Sequence, residues 1–309
     1  MGVKRDSFIE MEAGINMTWQ KSLLFLFGLA IFLVSPHNLQ TAFAGYSIPA
    51  NNPGIVRCGA TATLLQSGEI LVVGGTVFVY DNGNFGTKML DTAALFDPAT
   101  NTWSDAASLG SPHSRHSAQL LPSGKVLVMA GATTGGTYNP PMIYDPSTNT
   151  WSSSAYPWGD APYTFVTMTL LQNGKVLVVG NCSTARLYDP GSDTWTAAGT
   201  PAVKRYKHTA TLLPNGKVLV TGGENIDTGE VTAVSEIYDP ASNAWSAAGS
   251  LSNARYDHTA TLLTNGKVLI QGGRAYSIVY AAELYDPASD SWSSVGDNPE
   301  STAHATATL

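Results

Sequence analysis

The chain has 309 residues, of which 43% are hydrophobic and only 13% charged, and its net charge is -7. That much apolar material supplies a core, and 30 Gly with 17 Pro suit short strands and tight turns better than long solvated helices. The few basic residues are scattered and form no stripe that would track a phosphate backbone, so nucleic acid is not an expected partner.

The first predicted element is a targeting segment. Lys21 precedes an unbroken apolar run from Leu23 to Val34, and Ala42-Phe43-Ala44 supplies a small-x-small cleavage pattern. The run is too short to cross a bilayer as a helix. Residues 1–44 therefore read as a signal peptide cleaved before Gly45, with Met17 as an alternative start and residues 1–16 as a misassigned extension. The expected product is exported, either secreted or periplasmic, with no stable membrane insertion after cleavage.

From residue 57 the chain repeats itself. The clearest phrase runs from His208 to Gly223 and returns nearly verbatim from His258 to Gly273. It recurs with drift from Ala60 to Gly75, His116 to Gly131 and Val166 to Asn181. Each copy closes with an aromatic-Asp-Pro turn and a tryptophan: Phe96 with Trp103, Tyr144 with Trp151, Tyr188 with Trp195, Tyr238 with Trp245, and Tyr285 with Trp292. Within a copy the first strand is expected at His208 to Leu213, and Asn215-Gly216 supplies a turn able to take positive φ. The second, Lys217 to Thr221, is a β-branched and aliphatic run, as in a strand buried on both faces. The third ends at Tyr238 and the fourth starts at Trp245. A four-stranded sheet apolar on both faces must be covered on both, and repetition around an axis does that.

The double glycine after the second strand, the aromatic-Asp-Pro turn and the following tryptophan resemble the kelch family over about residues 57–309. The resemblance implies an all-β, kelch-type β-propeller of four-stranded antiparallel blades at about 57–110, 111–158, 159–202, 203–251 and 252–299. Residues 300–309 restart the first-strand phrase, giving five complete repeats and the start of a sixth within a propeller spanning 45–309. Either five blades close with an extra edge strand, or the chain is a truncated member of a six- or seven-bladed group.

In such a meander the loop into the first strand and the loop from second to third strand share one end. The second-to-third loops vary in length and chemistry, whereas the turns at the other end are nearly constant, so the variable end is the expected functional face. Three residues ahead of the aligned histidine position stand Arg57, His113, Tyr163, Arg205 and Arg255, and the position itself holds His116, His208 and His258 in three blades. As a channel mouth these form a polar, partly cationic pocket suited to a sugar or a carboxylated ligand. As scaffold they satisfy buried loop carbonyls between blades. The three histidines come from separate blades with no local pairing, and Asp81-Asn82-Gly83-Asn84 lacks the alternating oxygens and closing Glu of a calcium loop, so no metal or other cofactor is expected. Cys58 and Cys182 fall on non-adjacent blades, beyond disulfide reach.

The phrase Leu-Leu-Pro-Asn-Gly-Lys-Val-Leu-Val-x-Gly-Gly also resembles the propeller of galactose oxidase and related copper radical oxidases. That resemblance implies copper held by two tyrosines and two histidines, with Cys58 placed like the cysteine cross-linked to one tyrosine. The partner tyrosine should stand in blade 2, where this chain has His113-Ser114-Arg115-His116. The adjacent Tyr-His ligand pair is broken by Lys207 and Asp257, and the C-terminal domain that delivers the last histidine is not found. Other propeller enzymes such as sialidases, epimerases and lyases need carboxylates at the mouth, for which Glu224, Asp227, Glu230 and Asp257 qualify by location only. The reading is thus an exported binding module for an extracytoplasmic glycan or protein. The alternative is a carbohydrate-active enzyme on the same scaffold.

Overall fold

The computed structural model describes residues 42–44, 57–81, 84–132, 140–155, 165–180 and 184–297. Every regular element among them is a strand. Five four-stranded antiparallel meanders follow one another, and the fourth is typical. Its strands are Thr209–Leu212, Val218–Thr221, Ser235–Asp239 and Ala244–Ala248, paired in that order. The first and second strands are each slightly shorter than the sequence predicts, because His208 and Lys217 already belong to the turns. Every second strand opens with three aliphatic residues, and in blades 2, 3 and 4 all four of its side chains are buried. The sequence pattern demands that both faces be covered, and the neighbouring sheets do so.

Each interface repeats one arrangement. Leu65, Leu71 and Val73 of the first sheet pack on Ala118, Val126, Val128 and Tyr144 of the second. Leu121, Leu127 and Met129 meet Met168, Val176, Val178 and Tyr188 of the third, and the pattern continues into the fourth and fifth. Burying each such aliphatic side chain stabilises by about 1.5–3 kcal/mol, so these contacts dominate the cohesion of the fold. The tryptophans pin the outer rim. Trp151, Trp245 and Trp292 stack on the tyrosine of their own blade at 5.0, 5.2 and 5.1 Å between ring centroids. Each donates its indole N–H to a carbonyl of the preceding blade, Ala107, Ala198 or Gly249, at 2.6–2.7 Å. The tyrosine hydroxyls in turn bond an Asn or Asp five residues on, such as Asn243 at 2.8 Å, which sits at positive φ in the turn.

One end of the sheets is uniform. In all five blades a tight hairpin joins first to second strand, closed by bonds such as Leu213 N–H to Lys217 O at 2.8 Å, with a glycine at φ near 80–90°. Lys125, Lys175, Lys217 and Lys267 then pair with Asp145, Asp189, Asp239 and Asp286 at 3.0–3.2 Å, so the cations of this end are already committed. The opposite end differs from blade to blade. The expected loop after Gly75 is a hairpin, Thr76–Asp81 paired with Asn84–Met89, from which Phe78 and Phe85 project into solvent.

Neighbouring first strands lie side by side from blade 1 to blade 5 in chain order, and among the described residues no first-strand contact of that closeness joins the fifth sheet to the first. Consistent with that, Leu263 and Leu269 of the fifth sheet are half-exposed, whereas their counterparts Leu213 and Leu219 are buried. Ala42–Ala44, the expected cleavage pattern, forms a strand against Ala60–Ala62 of the first sheet. Residues 1–41 and the restart at 301–309 lie outside the described residues.

Candidate functional site

The glycine pair after the second strand shapes the variable end. A Cβ on Gly222 would stand 2.6 Å from the carbonyl of Arg255 in the next blade, and one on Gly223 would stand 2.7 Å from the carbonyl of Tyr206 in its own. Both glycines have positive φ, so the backbones of adjacent loops close on each other where no side chain fits. A short bridge results in four blades, pairing Cys58 with Thr76, Ser114 with Ala132, Tyr206 with Glu224 and Tyr256 with Arg274. The approach to the first strand and the exit from the second therefore do share one end.

Arg57, Arg205 and Arg255 are buried beneath that end, not open to a channel. Arg205 Nη1 donates to the carbonyl oxygens of Gly222 at 3.0 Å and Val234 at 2.6 Å, and Nη2 pairs with Glu236. Glu236 accepts from the backbone N–H groups of Ala202 at 2.6 Å and Val203 at 3.3 Å. Arg255 repeats the arrangement with Gly272, Ala281 and Glu283. Burial lowers both guanidinium pKa values and the paired carboxylates push them back up. Arg57 bonds the carbonyls of Gly74 and Thr92 at 3.2 and 3.0 Å, and Ala94 stands where the other two blades carry their glutamate.

The histidines are buried as well. Nε2 of His116, His208 and His258 lies 2.7–2.9 Å from the hydroxyl of Thr61, Thr167 and Thr209 respectively, each on the preceding blade. Burial pushes the pKa of all three down to about 3, so they are neutral at ordinary pH. His113, at an arginine position, is buried with Nδ1 2.9 Å from Ser111 O. Tyr163, Asn181 and Cys182 lie outside the described residues, and Cys58 is a half-buried free thiol.

The side chains that reach the surface stand between those scaffold positions: Arg115, Phe165, Tyr206 with Lys207, and Tyr256 with Asp257. The residue directly ahead of the histidine position is left-handed in all five blades: Gly59, Arg115, Phe165, Lys207 and Asp257, at φ from 52 to 67°. Arg115 N–H bonds Gly59 O at 2.8 Å and Asp257 N–H bonds Lys207 O at 3.1 Å, which joins these turns between blades. Arg115 is exposed, with its guanidinium 5.9 Å from the centroid of the Phe165 ring. Lys207 Nζ lies 5.8, 5.1 and 4.6 Å from the centroids of Phe165, Tyr206 and Tyr256, and 3.3 Å from Glu224 Oε2. These are cation–π distances. Tyr206 donates its hydroxyl to Glu224. The candidate site is this arc of aromatic rings and cations across blades 2 to 5, built on the arginine and histidine layer beneath it.

The residues do not fit a copper centre of the oxidase type. His116, His208 and His258 direct Nε2 at threonines, their Nδ1 atoms are buried without a hydrogen-bond partner among the described residues, and no group of three or more His, Cys, Asp or Glu side chains converges there. Tyr206 and Tyr256 each stand two residues ahead of a histidine of the repeat, and the Tyr206 hydroxyl is donated to Glu224.

No protein-family model matches the chain, and neither does any curated relative. Among solved structures it is similar to a fungal alcohol oxidase of the AA5 family in complex with copper, with a TM-score of 0.67 and 21% identity. The match covers 81% of this chain and 56% of the oxidase, so the chain spans little more than half that protein's length. At that identity the likeness shows a shared all-β, propeller-like fold.

Proposed function

We propose that this chain is an exported kelch-type propeller that binds a glycan outside the cytoplasm through the arc at its variable end. The observation that carries the reading is the contrast between the two ends. Lysines and aspartates at the uniform end are consumed by pairs that recur blade after blade, while the variable end presents Phe165, Tyr206 and Tyr256 half-exposed beside cations. Aromatic faces with a few fixed polar groups are the usual furnishing of a small-ligand or sugar site. Tyr276 and Tyr280 on the fifth-blade loop extend the aromatic surface at the same end. Export rests on the apolar segment at Leu23 to Val34, and among the described residues no helix is long and apolar enough to cross a membrane.

The copper-oxidase form of the enzyme reading has no support in the donor set, and no chemical step is assigned to the chain. A glycan array probed with the intact chain is expected to show carbohydrate binding that Tyr256→Ala reduces at least about tenfold, the loss of one good stacking contact of one to two kcal/mol. The variant should keep the parent's melting temperature, because Tyr256 is half-exposed. An array on which the folded propeller binds no carbohydrate would sink the reading.

A further inference from the structure

Counting what each basic side chain already does leaves a short remainder. Among the described residues four lysines are tied to the Asp-Pro turns, three arginines are buried scaffold, Lys204 pairs with Asp227 and Lys207 with Glu224, and Arg186 is half-buried within the third strand of blade 3. Arg115, Arg274 and Lys88 are exposed and make no ion pair among the described residues, and all three stand at the variable end. Arg274 is held against Tyr256 by backbone bonds of 2.8 and 2.9 Å. With Lys207 this produces an alternating series along the arc, Arg115, Phe165, Lys207, Tyr256, Arg274, in which Phe165 lies between two cations and Tyr256 between Lys207 and the backbone-paired Arg274. A chain with a net charge of -7 has therefore placed its exposed, unpaired positive charge at the mouth.

We infer that the arc recognises an acidic polysaccharide, one whose sugars carry carboxylates of the uronic-acid type; the inference rests on the glycan-binding reading above. Pyranose faces stack on Phe165 and Tyr256, and the carboxylates meet Arg115, Lys207 and Arg274, two of which offer the planar fork that matches a carboxylate. Glu224 and Asp257 decide between this ligand and a single-stranded nucleic acid, which also favours cations beside aromatic rings. Both carboxylates lie within the series, Glu224 on Lys207 and Tyr206 and Asp257 next to Tyr256 in sequence. Sugar hydroxyls donate hydrogen bonds to such acceptors, whereas a phosphodiester backbone has only acceptor oxygens and is repelled.

The test is titration calorimetry of the intact chain with oligogalacturonate, a neutral galacto-oligosaccharide of equal length, and single-stranded DNA, each at low and high salt. Oligogalacturonate should bind at least about tenfold more tightly than the neutral sugar, and rising salt should weaken it. Arg115→Asn with Arg274→Gln should remove at least about tenfold of that affinity, since each substitution takes away a charge-assisted bond to a carboxylate. The asparagine tolerates the left-handed backbone at position 115. Equal binding of acidic and neutral sugars, unaffected by the double variant, would overturn the acidic-ligand inference and leave the glycan reading standing. DNA binding tighter than oligogalacturonate would overturn it in favour of nucleic acid, and no carbohydrate binding at all would remove both.

Discussion

Arg205→Ala is expected to cost about 3–5 kcal/mol of stability, the usual penalty for breaking a buried ion pair from one side. The Arg205 and Glu236 side chains are 0% and 3% exposed, so Glu236 would be left as an uncompensated carboxylate in a dry interior. Removal of the guanidinium also orphans the carbonyl of Gly222 and leaves that of Val234 with its 3.2 Å bond from Gly222 N–H alone. These bonds tie the approach to the first strand to the exit of the second and the entry to the third, and the loss spreads along the whole variable end of blade 4. Urea unfolding followed by tryptophan fluorescence reads the effect directly.

Two comparisons separate charge from packing. Arg57 bonds the same kind of carbonyls with no acidic partner, so Arg57→Ala should cost about 1–3 kcal/mol, from leaving Gly74 O unpaired and Thr92 O with its bond from Gly74 N–H alone. Arg205→Met combined with Glu236→Met should recover part of the single-variant loss, because no buried charge remains. Recovery stays incomplete because Glu236 also caps the N–H groups of Ala202 and Val203. If Arg205→Ala and Arg57→Ala cost the same, the carboxylate has no part in the penalty and the account of the pair fails.

The scaffold was legible in the sequence for a physical reason: a repeated strand buried on both faces has few apolar solutions, and it recurs five times. Strand positions in blade 4 match the expectation to within one residue at each end. The loop Thr76 to Thr92 conceals a hairpin whose signal, alternation ahead of Asn82-Gly83, is present but competes with the variable length of that loop. The site was legible only to within one or two residues. The repeat puts the histidine position and the residue three ahead together at the approach to the first strand, and so at the expected mouth, but a left-handed residue intervenes and turns the chain. Only Gly59 carries the usual mark of that conformation; Arg115, Phe165, Lys207 and Asp257 are side chains in which positive φ is uncommon. Glu236 and Glu283 went unrecognised, although a glutamate two residues ahead of the tyrosine of the Asp-Pro turn, in two of the three blades that carry the preceding arginine, is the trace of the buried pair. The exposed Arg274 and Arg115 gave no periodic signal, since a binding surface differs from blade to blade where a scaffold repeats.

The buried histidines make the fold acid-sensitive in a window that other groups leave clear. His116, His208 and His258 have folded pKa values of about 3, lowered first by burial and then by His113, by Arg205 with His258, and by Arg255 respectively. In the unfolded chain each titrates near 6.5. A lowered folded value means that the unfolded state binds more protons between the two pH values, so stability is complete above about pH 6.5 and falls as pH drops toward 3. Three such groups give a slope approaching about 4 kcal/mol per pH unit once pH is well below 6.5, and His113, also lowered by burial, acts in the same direction. The Asp97, Asp145, Asp189, Asp239 and Asp286 carboxylates are likewise held below their ordinary range, chiefly by side-chain hydrogen bonds, but their contribution is lost only below about pH 4. The interval from pH 6.5 to 4.5 therefore belongs to the histidines. Urea unfolding across it should show steadily falling stability, and His208→Gln should lower the slope by one proton whatever it does to stability at pH 7. Stability that is flat over this interval would mean that the imidazoles reach solvent or a partner for Nδ1, and the sealed layer beneath the mouth would not exist as described.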